Sequence, residues 1–495
     1  MAFFYKTSSN TKRGTTKGFY FGKPEAEAEF STQGHTLSEY FEDFLDVKSK
    51  ISEGRFIISG RKGVGKSAIA QHFKDAAKNP DNDLYTTIIS PKDIELNKLI
   101  QGLPDVDISL FFEWSILTKL IKLLIDANLS DMARHVSDLK KFYNRNVGVV
   151  NIANHKVEEM SLKTEVGIDL FRTKFNGIMA KKIKDTRLKN APFYDFIPIL
   201  RDILQEVLAY DIYKECTFLL EFDELDVDFK VRTDSDKILK LIRVARDYNT
   251  NYFRNTPFKL LIFIRDDIKD YISASDKTKL FGSYEYNIKW YDYDTHIRDE
   301  KEILLRKFIN KRIKTNFENL GLSYNRIDPW STLFDTKERS DDGKSLFAYI
   351  LDYTFYRPRD FVNLLSPLDK LEYKYPLNGS AVTTLINRMA QQTMGDIEDE
   401  LSILYERDYI QSIKHLLRDI ALSRPPISYA KIVELFDING IYIETLDVLI
   451  DYDIIILSKE GHFLHKYREQ KIDDDVDTYE FSLHKAIYVY FNKLR

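Results

Sequence analysis

Gly60-Arg61-Lys62-Gly63-Val64-Gly65-Lys66-Ser67 is the stretch on which the reading of this chain turns. It follows a short apolar run, Arg55-Phe56-Ile57-Ile58-Ser59, and precedes Ala68-Ile69-Ala70-Gln71-His72-Phe73, where helical spacing resumes. The order is therefore strand, loop, helix. Glycines let successive backbone N–H groups curve around an anion, the helix that follows turns its positive end toward it, and a lysine reaches the outer oxygens of a phosphate chain. In this pattern Lys66 is the charge clamp and the Ser67 hydroxyl is a ligand for Mg2+. The backbone of Gly60, Arg61, Lys62, Gly63, Val64, Gly65 and Ala68 completes the cradle.

A phosphate cradle that also hydrolyses needs acidic groups at the end of a neighbouring strand. Leu219-Leu220-Glu221-Phe222-Asp223-Glu224 supplies them. Asp223 is placed to hold the metal through water and Glu224 to polarise the attacking water. Glu221 is a blemish in this run, because a charge inside a buried parallel strand costs several kcal/mol unless it is paired.

Further strands are expected at Leu84-Tyr85-Thr86-Thr87-Ile88-Ile89, at Phe258-Lys259-Leu260-Leu261-Ile262-Phe263-Ile264 and at Tyr284-Glu285-Tyr286-Asn287-Ile288-Lys289-Trp290. Strands alternating with helical patterns predict a mainly parallel sheet covered on both faces. Before it, residues 1–48 read as a polar arm leading into a helix at Glu39-Tyr40-Phe41-Glu42-Asp43-Phe44-Leu45. The core then runs over 49–295, and its second and third strands are so far apart that about 95–212 must be a helical insertion. Within that insertion 111–127 has amphipathic helical spacing, 148–167 alternates like a hairpin, and 172–189 is rich in Lys and Arg. Residues 296–404 read as a helical lid broken at Tyr356-Arg357-Pro358-Arg359. In 405–495, helices at 410–422, 429–436 and 443–451 precede short strands at 454–456 and 462–464, an order that suits a winged helix.

At 495 residues and 43% hydrophobic content the chain has material for two to four domains, at roughly 100–200 residues each. A net charge of −4 lacks the global positive excess of a nucleic-acid coat protein, so any such contact must be local. One cysteine, Cys216, permits neither an intrachain disulfide nor a cysteine metal cluster, and suits a reducing compartment. No segment approaches ~18 consecutive apolar residues, and the N-terminus lacks an apolar run before its Lys and Arg. The expectation is a soluble cytoplasmic protein with no membrane partner.

The series of phosphate loop, intervening strand, Asp223-Glu224, a further strand ending in a polar residue, lid and winged helix resembles the additional-strand P-loop ATPases of AAA+ and STAND type. The layout is closest to that of archaeal origin-recognition-like ATPases. It also looks like a group of bacterial P-loop ATPases encoded beside antiviral defence genes that share the Gly-Arg-Lys-Gly-x-Gly-Lys-Ser form of the loop. The fold implied is α/β, a P-loop NTPase with a mainly parallel sheet, helical insertion, helical lid and C-terminal winged-helix-like domain, with ATP and Mg2+ as cofactors. The resemblance puts Arg265, after Leu260-Leu261-Ile262-Phe263-Ile264, at the sensor 1 position beside the γ-phosphate. It puts Arg359, in Tyr356-Arg357-Pro358-Arg359-Asp360, at the sensor 2 position, where a lid arginine reaches the phosphates. Arg243, Arg246, Arg254 and Arg298 fall where a trans-acting arginine finger often lies, but none stands out.

A DNA-reading winged helix carries Lys, Arg, Asn or Gln on its third helix. Here that helix reads Ile443-Glu444-Thr445-Leu446-Asp447-Val448-Leu449-Ile450-Asp451, and its acids favour protein docking or self-assembly over base readout. DNA contact is left to the basic wing at 459–468, or to Arg172, Lys174, Lys181, Lys182, Lys184, Arg187 and Lys189, with Phe171 and Phe175 nearby. His462, His465 and His484 lack the tight spacing of metal ligands, so no metal beyond Mg2+ is assigned. The function expected is an ATP-hydrolysing switch acting on a protein partner, in a bacterial defence or DNA-transaction setting. The alternatives are a nucleotide-gated scaffold with negligible turnover and a DNA-stimulated or DNA-translocating ATPase.

Overall fold

The computed structural model describes residues 14–30, 37–90, 106–129, 136, 139–140, 143–144, 193–225, 231–291, 299–468 and 476–494. The expected hairpin at 148–167, the basic stretch at 172–189 and Arg298 lie outside them. In chain order the strands are β1 (Gly14–Thr15), β2 (Ile57–Gly60), β3 (Leu84–Ile89), β4 (Thr217–Phe222), β5 (Phe258–Arg265), β6 (Glu285–Asn287), β7 (Lys374–Tyr375), β8 (Ile427–Ser428), β9 (Ile455–Lys459), β10 (His462–Leu464) and β11 (Glu480–Leu483). The chain divides into two compact units. One comprises Met1–Leu45, Lys62–Gly65 and Lys289–Arg495, the other Asp46–Arg61 and Lys66–Ile288.

The second unit is mixed α/β, built on a five-stranded sheet in the order β3-β4-β5-β2-β6 with every pairing parallel. Phe56, Ile57, Ile58, Leu260, Leu261, Ile262, Phe263 and Ile264 are all buried, as continuous apolar strands covered on both faces must be. The helix Lys66–Ala76 packs on β2 and β3. The helix Ile108–Ala127 lies on β3 and β4 and against the helices Ile197–Leu208 and Val231–Asp247. This corrects the expectation for 111–127. Phe111, Trp114, Leu117, Leu120, Ile121 and Leu124 are fully buried and Phe112 meets Phe222 edge-on at 6.4 Å, so the helix is a layer of the core and not an amphipathic addition to it. The last strand is also shorter than expected. Tyr284 closes the helix Lys277–Tyr284, leaving β6 at Glu285–Asn287.

In the first unit the described part of the N-terminal arm, residues 14–30, is packed. β1 pairs antiparallel with β7, Phe19 meets Phe317 at 5.0 Å, and Arg312 on the helix Leu304–Asn319 donates to the Phe21 carbonyl and to Glu29 (both 2.9 Å). The expected helix at 39–45 is displaced. The chain forms a short helix at Leu37–Tyr40 and leaves helical geometry after it, and in the other unit the next helix, Val47–Ser52, begins after Asp46 at φ +53°. The helices Arg407–Leu422, Tyr429–Ile438 and Thr445–Asp451 pack with a four-stranded antiparallel sheet in the order β10-β9-β11-β8 around Ile413, Leu417, Leu449, Leu457 and Phe481. A closing helix, Lys485–Asn492, packs on Gly379–Leu401. Its buried N-cap, His484, accepts from the Ala486 N–H (3.2 Å) and stacks on Phe355 at 4.0 Å, which gives that histidine a structural task.

Candidate functional site

The carboxyl ends of parallel strands are where open α/β sheets place ligands. Here Gly60 closes β2, Arg265 closes β5 directly across from it, and Asp223 and Glu224 follow β4. Because β5 lies between β2 and β4, the loop strand and the acidic pair are two strand spacings apart, about 10 Å. Lys66 opens its helix, and its ammonium is held by the carbonyls of Gly60 (2.7 Å) and Arg61 (3.0 Å). An incoming phosphate oxygen would compete for those donors, and the exchange is a favourable one because the new acceptor is charged.

Asp223 is buried, with its backbone N–H bonded to the Ile89 carbonyl (3.2 Å). Glu224 stands at φ +58°, a left-handed conformation for a non-glycine residue. Such backbone costs of order 1 kcal/mol or more and clusters at functional sites. Glu221 is fully buried; Thr86 donates to its Oε1, and its Oε2 has no hydrogen-bond partner. Burial pushes this carboxyl up to about 8, with Asp223 adding to the rise and Thr86 and Lys74 opposing it.

Arg265 is almost wholly buried and clasps Asp267 through Nε (2.9 Å) and Nη2. The residue between them, Asp266, instead accepts from Asn287 Nδ2 (2.7 Å) and interacts with the Lys66 charge. Its pKa is raised, first by burial and against the pull of Lys66 and Lys269. Asn287 also donates to Ser59 Oγ (2.8 Å), and Lys269 grips both oxygens of Glu285 (2.7 and 2.8 Å). This polar network was not read from the sequence. The available signal was the placement of Asp266 and Asn287 at or just past the ends of β5 and β6.

In the other unit, the loop residues Lys62–Gly65 group with Met1–Leu45 and Lys289–Arg495. Gly63 has φ +85°, and a Cβ on it would come within 3.1 Å of Arg359 Cβ and 3.2 Å of Arg357 Cδ. Glycine is required there on both counts. Arg359 is the second residue of the helix Pro358–Leu365 and lies 3.8 Å from Asp396, while its backbone N–H bonds the Gly63 carbonyl at 3.4 Å. Arg357, which the sequence reading passed over, is the buried one. It bonds Asp360 (3.0 Å), Glu400 (2.9 Å) and the Lys62 carbonyl (3.0 Å). Among the arginines weighed as fingers, Arg243 and Arg246 pair with Asp276.

Part of the chain has a family match. Residues 304–371 fit the model of the FunZ-associated C-terminal helical domain, a span that includes Arg357 and Arg359. Among solved structures, the ORC2 protein of Aeropyrum pernix, determined as ADPNP and ADP complexes, is similar over 92% of this chain and 97% of that one, at 10% identity and a TM-score of 0.28. No curated protein matches. Among the described residues no helix is long and apolar enough to cross a membrane.

Proposed function

We propose that the chain is a Mg2+-dependent ATPase of the additional-strand P-loop class, working as a nucleotide-driven switch. The observation that carries this reading is the parallel sheet in which β5 separates the loop strand β2 from β4 and its acidic pair, with Lys66 opening the helix after the loop. The functional parts are a core over 49–295, a lid over 296–404 and a winged-helix-like domain over 405–495.

Gly60–Ser67 binds the phosphates, Lys66 leaving the Gly60 and Arg61 carbonyls for the outer phosphate. Ser67 and Asp223 offer a hydroxyl and a carboxylate, the hard oxygen donors that suit Mg2+. The ion, when bound, neutralises charge developing on the transferred phosphoryl group. Glu224 takes the proton of the attacking water, and its left-handed backbone fixes the direction in which its side chain leaves β4. Arg265 acts at sensor 1, steadied by Asp267, and Arg359 at sensor 2 exchanges Asp396 for phosphate.

The switch reading draws on an aromatic trio. Tyr356, next to Arg357, meets Tyr291 at 5.1 Å and stacks on Tyr467 at 5.3 Å, and Asp453 in the C-terminal domain holds the Tyr467 backbone (3.1 Å). Nucleotide state thereby biases the C-terminal domain and the protein partner it docks. The acids at Glu444, Asp447 and Asp451 favour a protein over DNA. The setting proposed is the cytoplasm, within bacterial defence or a DNA transaction.

Phosphate release from ATP and Mg2+ tests the reading. Wild-type protein should turn over, Glu224→Gln should lose on the order of 10²-fold or more while still binding nucleotide, and Lys66→Ala should lose binding. No phosphate release by wild type, which would leave it indistinguishable from Glu224→Gln, would refute hydrolysis and leave the scaffold alternative; measurable release that is equal in the two would refute the role of Glu224.

A further inference from the structure

An amide plane is rigid, so the carbonyl of one residue and the N–H of the next point in opposite directions. Whatever grips the carbonyls on the outside of a phosphate loop therefore aims its N–H groups inward. In this chain three consecutive loop carbonyls are gripped. The Lys62 carbonyl takes the Arg357 guanidinium (3.0 Å), the Gly63 carbonyl the Arg359 backbone N–H (3.4 Å) and the Val64 carbonyl the Trp290 indole Nε1 (2.9 Å). The N–H groups set in this way are those of Gly63, Val64 and Gly65.

The grip is itself braced. Arg357 is buried with Nε on Asp360 and Nη1 on Glu400, its guanidinium carbon lies 5.0 Å from the Phe355 ring centre, and Asp360 accepts in turn from the Phe355 N–H (2.7 Å). Trp290 is buried with its ring edge-on to Phe308 at 5.6 Å. The Lys62 ammonium lies 3.5 Å from Asp399 and so turns toward the lid. Side chains locked by packing in this manner hold backbone within the tolerance that a binding site needs.

We propose that Arg357 and Trp290 are positioning residues for the nucleotide: they touch no phosphate, and they preset the Gly63 and Gly65 N–H groups by holding the Lys62 and Val64 carbonyls. The inference rests on the reading of Gly60–Ser67 as a nucleotide loop. It gives the lid a role in ground-state binding separate from that of Arg359 at the phosphates.

The test uses the full-length chain, a non-hydrolysable ATP analogue with Mg2+ for binding, and ATP for turnover. Trp290→Phe keeps the ring and deletes the donor. Arg357→Lys keeps the charge and loses the fork that spans Asp360, Glu400 and the carbonyl. Each should weaken analogue binding roughly three- to tenfold, the worth of one hydrogen bond, and raise KM with kcat nearly unchanged. The melting temperature of ligand-free Trp290→Phe should fall by only a few degrees, about the cost of one buried hydrogen bond, so the variant stays folded in the assay. In wild type the analogue should shift the indole emission, and in Trp290→Phe that shift should vanish, because Trp114 and Trp330 are fully buried elsewhere. Binding by wild type that Lys66→Ala abolishes but Trp290→Phe leaves unchanged would overturn the positioning role alone. Failure of wild type to bind would overturn the nucleotide reading and this inference together.

Discussion

Replacing Glu221 by Gln removes a titrating group from the middle of the sheet. The ordinary value for this acid is 4.5 and burial in β4 raises it to about 8. Between those two pH values the folded chain keeps the proton and the unfolded chain has lost it, so the folded state binds more protons. Stability on this account is complete below pH 4.5 and declines as pH rises to about 8. Each pH unit changes the opening equilibrium at most about tenfold, so from pH 5.5 to 7.5 it rises by up to ~100-fold. The Glu221→Gln variant retains an acceptor for Thr86 and titrates nothing. Cys216, the single cysteine, is buried immediately before β4 and reports that opening. Native-state thiol labelling without nucleotide or divalent cation gives a rate for each protein at each pH, and their ratio cancels the ionisation of the thiol itself. The wild-type to variant ratio should climb with pH, by tenfold at the least and ~100-fold at the ceiling. A ratio constant within twofold, or one that falls, would refute the argument.

Gly63→Ala places a Cβ within 3.1 Å of Arg359 and strains a backbone at φ +85°. Nucleotide affinity should drop about tenfold or more while the far-UV circular dichroism is unchanged. Glu29→Ala leaves Arg312 buried without its carboxylate and should cost about 3–5 kcal/mol in denaturant melts, most of it recovered when Arg312→Met is added. Asn249 uses its side-chain amide to bond both the N–H (3.0 Å) and the carbonyl (2.8 Å) of Leu260. Asn249→Leu should therefore cost about 2 kcal/mol, read as faster hydrogen exchange in β5.

What was legible in the sequence was what local patterns encode. The loop, the strands at 57–60, 84–89, 217–222 and 258–265 and the C-terminal run of helices all follow from apolar spacing and glycine placement, and each end lies within three residues of its expected position. The misreadings have local causes as well. The acids and aromatics of 39–45 have helical spacing, but helical geometry ends after Tyr40. The helix Ile108–Ala127 has polar residues at intervals that read as amphipathic, although its Ser115 and Thr118 are buried and Thr118 bonds back to the Trp114 carbonyl (2.8 Å).

The site was legible only in part, because a motif records what its own residues do and nothing about what aims them. Lys66 and the glycines could be read from their spacing. Arg357 and Trp290, which meet the loop backbone, lie more than two hundred residues away in the chain and carry no spacing signal relative to it. In sequence, Arg359 is the more visible of the two, because it follows Pro358, which fixes the backbone at the start of the helix Pro358–Leu365. The carboxylates that bury Arg357, Asp360 and Glu400, come together only once the helices Pro358–Leu365 and Gly379–Leu401 pack. A buried guanidinium held by two acids has no freedom to reach a phosphate, whereas Arg359, 3.8 Å from one carboxylate, can exchange it. The two arginines therefore divide the work in the proposed mechanism: the locked one shapes the loop, and the loosely held one answers the nucleotide.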